Sequence, residues 1–191
     1  PTMFAGIALA LLYAVFSASS KGSNRDPVAK LATGELAKLD LSDRGAAGAT
    51  APFIDIDGNS LTLQDFQGQA VLINFWATWC GPCEREMPSL AALETSRGDE
   101  AFKVIAISVD SPEDTDYAKQ RLRELSGGVL EFYTLAEGPD GWNVVYDMGA
   151  GGGFTTTILY GKDGLKIGKI EGEADWASYE AVALVDVIKG D

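Results

Sequence analysis

The sequence predicts an α/β sandwich, a central mixed sheet flanked by helices. Three observations carry this expectation. Apolar, β-branched runs alternate with helical patterns through the middle of the chain; the run Ala70 to Ala77 lacks alternation, as a strand buried on both faces does; and the chain closes on a hairpin followed by an amphipathic helix.

Taken in order, the chain begins with an apolar stretch, Met3 to Phe16, and carries no charged side chain from Pro1 to Ser20. About 20 such residues can cross a bilayer as a helix. Residues 1–20 are therefore expected to be a membrane anchor, or a signal segment cut near Ser17-Ala18-Ser19, with a buried core helix as the remaining reading. Lys21, Arg25 and Lys30 come just after this stretch and count against export by the positive-inside rule. The next division, residues 21–50, reads as a linker with a short helix. Val28, Leu31, Ala32, Leu36 and Leu39 recur near helical spacing despite Gly34, and the Gly/Ala-rich stretch Ser42 to Thr50 is expected to be mobile. Residues 51–191 form the α/β domain.

That domain opens with Phe53-Ile54-Asp55-Ile56, a turn at Asp57-Gly58-Asn59 and Leu61-Thr62-Leu63, which together predict an N-terminal β-hairpin extension. After the central run, Met87, Leu90 and Leu93 give one apolar helical face, with Pro88 expected to kink the helix. Phe102 to Val109 reads as a second inner strand. Asp110-Ser111-Pro112-Glu113-Asp114, a cap, a first-turn proline and early acids, then starts a helix with Ala118, Leu122 and Leu125 on its apolar side and Gly127-Gly128 at its stop. Continuing into Leu130 to Leu135, this unit implies a parallel crossover. Trp142 to Met148 predicts a short helix between glycine-rich loops. Thr156 to Tyr160 and Lys166 to Glu171 form a hairpin, and Ala181, Leu184, Val185 and Ile188 mark the last helix.

Chemistry concentrates where the central strand hands over to a helix, at Trp79-Cys80-Gly81-Pro82-Cys83. These are the only two cysteines of the 191 residues. At a helix N-terminus the Cys80 sulfur would face unpaired backbone N–H groups and the positive end of the helix dipole, which favour thiolate over thiol. Cys80 is then the nucleophile, and Cys83, one turn further in, resolves the mixed disulfide. Pro82 suits the first turn, and Gly81 leaves the sulfur approachable. Glu86 lies three residues past Cys83 and can share its face, either raising nearby thiol pKa values or taking the Cys83 proton; the bland alternative is an exposed helical Glu, as expected for Glu84. Trp79 can cover the sulfur and present a docking surface for a partner, whereas Trp76 reads as core. Competing readings of the pair are an intermolecular zinc site, a purely structural disulfide and a Cu(I) carrier; the chain has no His and no third Cys to complete a metal site alone.

NFWATWCGPC followed by Glu86 and Pro88, LTLQDFQGQ from Leu61 to Gln69 and GEADWAS from Gly172 to Ser178 together resemble the TlpA-like (ResA-like) branch of the thioredoxin superfamily. The resemblance implies a thioredoxin-like fold and a secreted or membrane-tethered thiol:disulfide oxidoreductase. Such relatives act on protein thiol and disulfide clients in cytochrome c or cytochrome oxidase assembly, and an upstream membrane reductant serves them. It implies a redox-tuning role for Glu86 and makes Asn74 the counterpart of a buried Asp in thioredoxin. It also exposes one departure. Aligning Thr155-Thr156-Thr157 with the family's proline-Thr-Thr pattern puts Thr155, beside Phe154, where a cis-proline faces the cysteines and pairs with the client; a cis bond before a non-proline costs about 2.5–4 kcal/mol, so a trans bond is expected.

The balance of 28 acidic and 15 basic residues, a formal net charge of −13, argues against nucleic acid and anionic lipid as partners. No cofactor is expected beyond the Cys80–Cys83 couple, and the expected location is the periplasm, with the N-terminal segment in the inner membrane. Peroxide chemistry is not expected, since Thr78 stands two residues before Cys80 rather than three. Gly81-Pro82 resembles the dipeptide of reducing thioredoxins, so the favoured direction is reduction of client disulfides. A dithiol oxidase or isomerase, or a non-enzymatic Cu(I)- or client-binding protein, is the alternative.

Overall fold

The computed structural model describes residues 26–138, 140–151 and 155–190. The expected anchor, residues 1–20, and Phe154 lie outside the described residues. Among the described residues no helix is long and apolar enough to cross a membrane.

Seven strands form one mixed sheet among these residues, in the order β2 (Ser60–Leu61), β1 (Phe53–Asp55), β5 (Phe132–Leu135), β4 (Phe102–Ser108), β3 (Ala70–Trp76), β6 (Thr156–Tyr160), β7 (Lys166–Glu171). Strand β3 (Ala70–Trp76) occupies the middle, parallel to β4 (Phe102–Ser108) with Asn74 opposite Ala106, and antiparallel to β6 (Thr156–Tyr160) with Asn74 opposite Thr157. All seven β3 residues are buried, which is why its sequence lacks alternation. Val71, Leu72, Ile73, Phe75 and Trp76 are each at most 2% exposed. Full burial of such a side chain contributes roughly 1.5–3 kcal/mol, so β3 is a rigid base for the segment that leaves its C-terminal end.

That segment leads into helix α2 (Gly81–Arg97), which buries Met87, Leu90 and Leu93 as expected and runs through Pro88. The helix connects β3 to β4. Helix α3 (Thr115–Ser126) buries Ala118 and Leu122 and ends at Gly127, whose φ of 63° is the left-handed value that favours glycine at a helix stop. The chain then enters β5 (Phe132–Leu135), parallel to β4, and the short helix α4 (Asn143–Asp147). Strands β6 and β7 (Lys166–Glu171) pair antiparallel, and helix α5 (Tyr179–Lys189) closes the chain with Ala181, Leu184 and Val185 inward. Strand β1 (Phe53–Asp55) pairs antiparallel with both β2 (Ser60–Leu61) and β5. The Leu61-Thr62-Leu63 strand is shorter than expected, because Thr62 and Asp65 form a reciprocal capping box and Leu63–Phe66 coils into a 3-10 turn.

The stretch expected as linker differs most. Helix α1 is only Pro27–Lys30, capped by the Asp26 carboxylate, and a separate 3-10 turn covers Gly34–Leu36. Gly34 interrupts the helical pattern because its φ is +53° and a Cβ there would meet the Glu180 carboxyl. Val28, Leu36 and Leu39 are buried in the main core. Rather than floating, residues 40–48 bind the hairpin: Asp40 bridges to Lys169 and Ala47 to Leu165. The close approach is made from β7, where a Cβ on Gly168 would meet the Asp40 carbonyl and the Leu41 side chain, while Gly48 lies against Leu63 and the Gly164 carbonyl; the segment is docked rather than mobile.

Candidate active site around the Cys80–Cys83 disulfide

From the end of β3 the chain needs only Ala77, Thr78 and Trp79 to reach Cys80. Cys80 has extended backbone (φ −98°, ψ 92°) and is the N-cap of α2, its Sγ accepting the Cys83 N–H at 3.3 Å. Pro82 lies in the first turn, where its missing N–H removes no helical bond. The two sulfurs are joined as a disulfide. Cys80 keeps 8% of its surface exposed and Cys83 none, with Gly81 and Pro82 exposed between them, so only the first sulfur is approachable. This is the asymmetry that a nucleophile and a resolving cysteine require.

Glu86 is 1% exposed, against the bland expectation of an exposed helical Glu. Its Oε1 accepts Ala174 N–H and Trp176 Nε1–H, both at 3.0 Å, and its Oε2 accepts Asn74 Nδ2–H at 3.5 Å. Burial pushes its pKa up to about 7, against the three hydrogen bonds that favour the ionised form, with the nearby negative charge of Glu173 adding to the rise. Asn74 also donates to Thr157 Oγ1 at 2.8 Å, while its own Oδ1 and the Trp76 Nε1 find no hydrogen-bond partner among the described residues. Trp76 is fully buried core, whereas Trp79 next to the disulfide is 59% exposed.

Thr155 stands at the mouth of β6, one residue before Thr156, which pairs with Phe75 near the end of β3. The topology thus brings it to the edge from which the chain leaves for Cys80. Its φ is +65°, an uncommon and strained value for a β-branched residue, and its carbonyl accepts Gly172 N–H at 2.7 Å. Among the described residues no peptide bond is cis. With Phe154 outside the described residues, the expected site residues brought to one end of the sheet are Trp79, Cys80, Gly81, Pro82, Cys83, Glu86 and Thr155.

Sequence reading missed the contributions of four residues. Trp176 and the Ala174 amide sit about 90 residues after Glu86 in the chain, and Thr157 supports Asn74 from across the sheet. Asp110 is the fourth: expected in the start of the next helix, where Ser111 is the cap instead, it receives on its carboxylate Thr78 N–H at 3.0 Å, Thr78 Oγ1–H at 2.7 Å and Ser108 Oγ–H at 2.8 Å. A polar Ser-x-Asp at the end of an apolar strand was the available signal. Beside it, a groove of about 700 Å³ opens between β1, β5 and the Ser111–Thr115 turn, with Trp79 and Trp142 in its wall. No group of three or more His, Cys, Asp or Glu among the described residues is placed to hold a metal ion.

Comparison with known proteins agrees with this geometry. The chain is 31% identical over 141 residues to the thiol-disulfide oxidoreductase ResA of Bacillus cereus, covering 73% of this chain and 76% of the relative. It is 33% identical over 119 residues to ResA of Bacillus anthracis, covering 62% and 64%. The chain thus spans about 64% of the length of several of the curated relatives it matches. Among solved structures, a putative thiol-disulfide oxidoreductase from Bacteroides vulgatus shares 26% identity with a TM-score of 0.60, over 76% of this chain and 96% of that one. A thioredoxin domain from the same organism, at 24% identity and a TM-score of 0.62 over 75% of this chain and 96% of that one, shows the same thioredoxin-like fold. The family model described as AhpC/TSA matches residues 44–164, from the docked N-terminal segment to the turn between β6 and β7, and on that match the chain belongs to the AhpC/TSA family.

Proposed function

We propose that the chain is a thiol:disulfide oxidoreductase that reduces protein disulfides outside the cytoplasm, in cytochrome c or cytochrome oxidase assembly. The observation that carries the proposal is the unequal pair: Cys80 at the N-cap with an approachable sulfur, Cys83 fully buried one turn on, and a buried carboxyl three residues further. The resemblance of Trp79 to Glu86 to the ResA-like branch supports the client class, and the uncharged residues 1–20 support an extracytoplasmic, anchored location.

In the reduced protein the Cys80 thiolate attacks one sulfur of a client disulfide. That S–S bond breaks, the client's other sulfur leaves as a thiolate, and a Cys80–client mixed disulfide forms. Cys83 then loses its proton and attacks the Cys80 sulfur; the client's second sulfur leaves, and the Cys80–Cys83 disulfide of this structure closes. Two electrons have passed from the dithiol to the client. Glu86, with its pKa near 7 and one turn from Cys83, is the group suited to accept the Cys83 proton at neutral pH. Trp79, Gly81, Pro82, Phe154 and Thr155 would contact client backbone, with Thr155 altering the surface a cis-proline would give. A membrane dithiol reductant would restore the pair, and no cofactor beyond the disulfide is required.

The test is the Cys80–Cys83 midpoint potential in dithiothreitol redox buffers, followed by Trp79 fluorescence. A value near the roughly −270 mV of thioredoxin is expected for a reductant. A value above about −150 mV would replace this reading with a dithiol oxidase or isomerase.

A further inference from the structure

The connection Ala77-Thr78-Trp79 decides where the Cys80 sulfur lies relative to the N–H groups of α2. It is too short to pack a core of its own, and Trp79 is largely exposed. The last ladder bond between β3 and β4 on this side is Val109 N–H to the Trp76 carbonyl at 2.9 Å. One residue later on β4's exit, Asp110 takes over. Its two oxygens are shared by the Thr78 amide (3.0 and 3.1 Å) and approached by the Thr78 hydroxyl (2.7 Å) and the Ser108 hydroxyl (2.8 Å). Ser108 in turn accepts the Asp110 N–H at 3.1 Å, so the carboxylate is itself fixed from behind. Asp110 is 7% exposed.

We propose that Asp110 is a positioning residue for the Cys80 sulfur, clamping the Thr78–Cys80 connection to the end of β4 so that Sγ stays aligned with the first turn of α2. Hydrogen bonds to a carboxylate are shorter and stronger than neutral ones, and a hydroxyl plus an amide from one residue fix that residue's backbone as well as its side chain. Loss of the clamp frees the two residues ahead of Cys80 and lets Sγ drift from the N–H groups that favour its thiolate. A direct proton-transfer role fits the geometry less well, because the oxygens are already occupied by Thr78 and Ser108. The inference rests on Cys80 being the reacting sulfur.

The experiment is the pH profile of Cys80 alkylation by iodoacetamide in the reduced full chain, for wild type, Asp110→Ala, Asp110→Asn and Thr78→Val. Asp110→Ala is expected to move the profile to higher pH and to slow alkylation at pH 7 about tenfold. Asp110→Asn keeps an acceptor for the Thr78 amide and hydroxyl and should restore the rate to within about threefold. Thr78→Val, which removes one hydrogen bond and leaves the charge, should lie between, and the Thr78→Val/Asp110→Ala pair should be less than additive because both delete one contact. Should Asp110→Ala not fold, Thr78→Val carries the same test. Wild-type rates and profiles in the variants that fold would overturn the clamp. A lowered profile in both Asp110→Ala and Asp110→Asn would overturn it too, since removal of a repelling charge would then govern. Wild-type protein whose Cys80 shows no thiolate-dependent reactivity would instead sink the oxidoreductase reading itself.

Discussion

Glu84 and Glu86 lie two residues apart on α2, yet the helix turns them into different environments. Glu84 reaches outward to Arg121, with contacts of 2.6 and 2.8 Å, and this hydrogen-bonded partner holds its carboxyl below the usual value. Glu86 points inward, accepts N–H donors from Asn74, Ala174 and Trp176, and is pushed up to about 7 by burial. The three donors are neutral, so none supplies a positive charge to offset desolvation. A partnered carboxylate and a buried carboxyl of raised pKa are therefore separated by a rotation of about 200° along one helix, and the proton-transfer role proposed for Glu86 rests on the neutrality of its donors as much as on their number.

The largest consequence of this difference is in stability against pH. The folded pKa of Glu86 lies above its unfolded value near 4.5. The native state therefore binds more protons between pH 4.5 and 7, and its stability falls as pH rises through that window. The full loss is about 3 kcal/mol at 1.36 kcal/mol per pH unit. Urea unfolding of the oxidised protein should show wild type falling by about that amount relative to Glu86→Gln between pH 4.5 and 8. Parallel curves would mean that Glu86 does not hold a proton in the folded state.

A smaller effect comes from its donors. Trp176→Phe removes the indole N–H while keeping much of the ring's bulk, so the ionised form of Glu86 loses a charge-assisted hydrogen bond worth about 1.5–3 kcal/mol. The carboxyl ¹³C titration midpoint should move upward; a downward or absent shift would mean that Trp176 does not stabilise the anion. Smallest is the outer face. Arg121→Ala should cost about 0.2–1 kcal/mol, because both partners are partly exposed, and the cost should shrink in 0.5 M salt. A larger, salt-independent loss would show the Glu84 side to be the buried one in energetic terms.

The chemistry was legible in the sequence where it was local. The disulfide at the junction of β3 and α2, the fully buried β3 and the inward face of Met87, Leu90 and Leu93 all come from patterns within 20 residues. Burial of Glu86 did not, because its partners Ala174 and Trp176 come from the loop before α5. The docking of residues 26–50 was hidden for a similar reason: a Gly/Ala-rich stretch has no periodicity, and only its contact with β7 gives it a place. Thr155 could be aligned with the missing proline, but its positive φ depends on the β6–β7 frame and on the Gly172 amide. Asp110 reads locally as part of a helix start, because its actual partner, Thr78, is 32 residues away.

The central claim is that Cys80 attacks and Cys83 resolves, and trapping tests it most directly. Cys83→Ser and Cys80→Ser variants, reduced and mixed with a disulfide-bonded client peptide, would be resolved by non-reducing mass spectrometry. A stable one-to-one mixed disulfide is expected at Cys80 in Cys83→Ser and little adduct in Cys80→Ser, whose remaining sulfur is fully buried. Equal trapping in the two variants, or trapping at Cys83 alone, would contradict it.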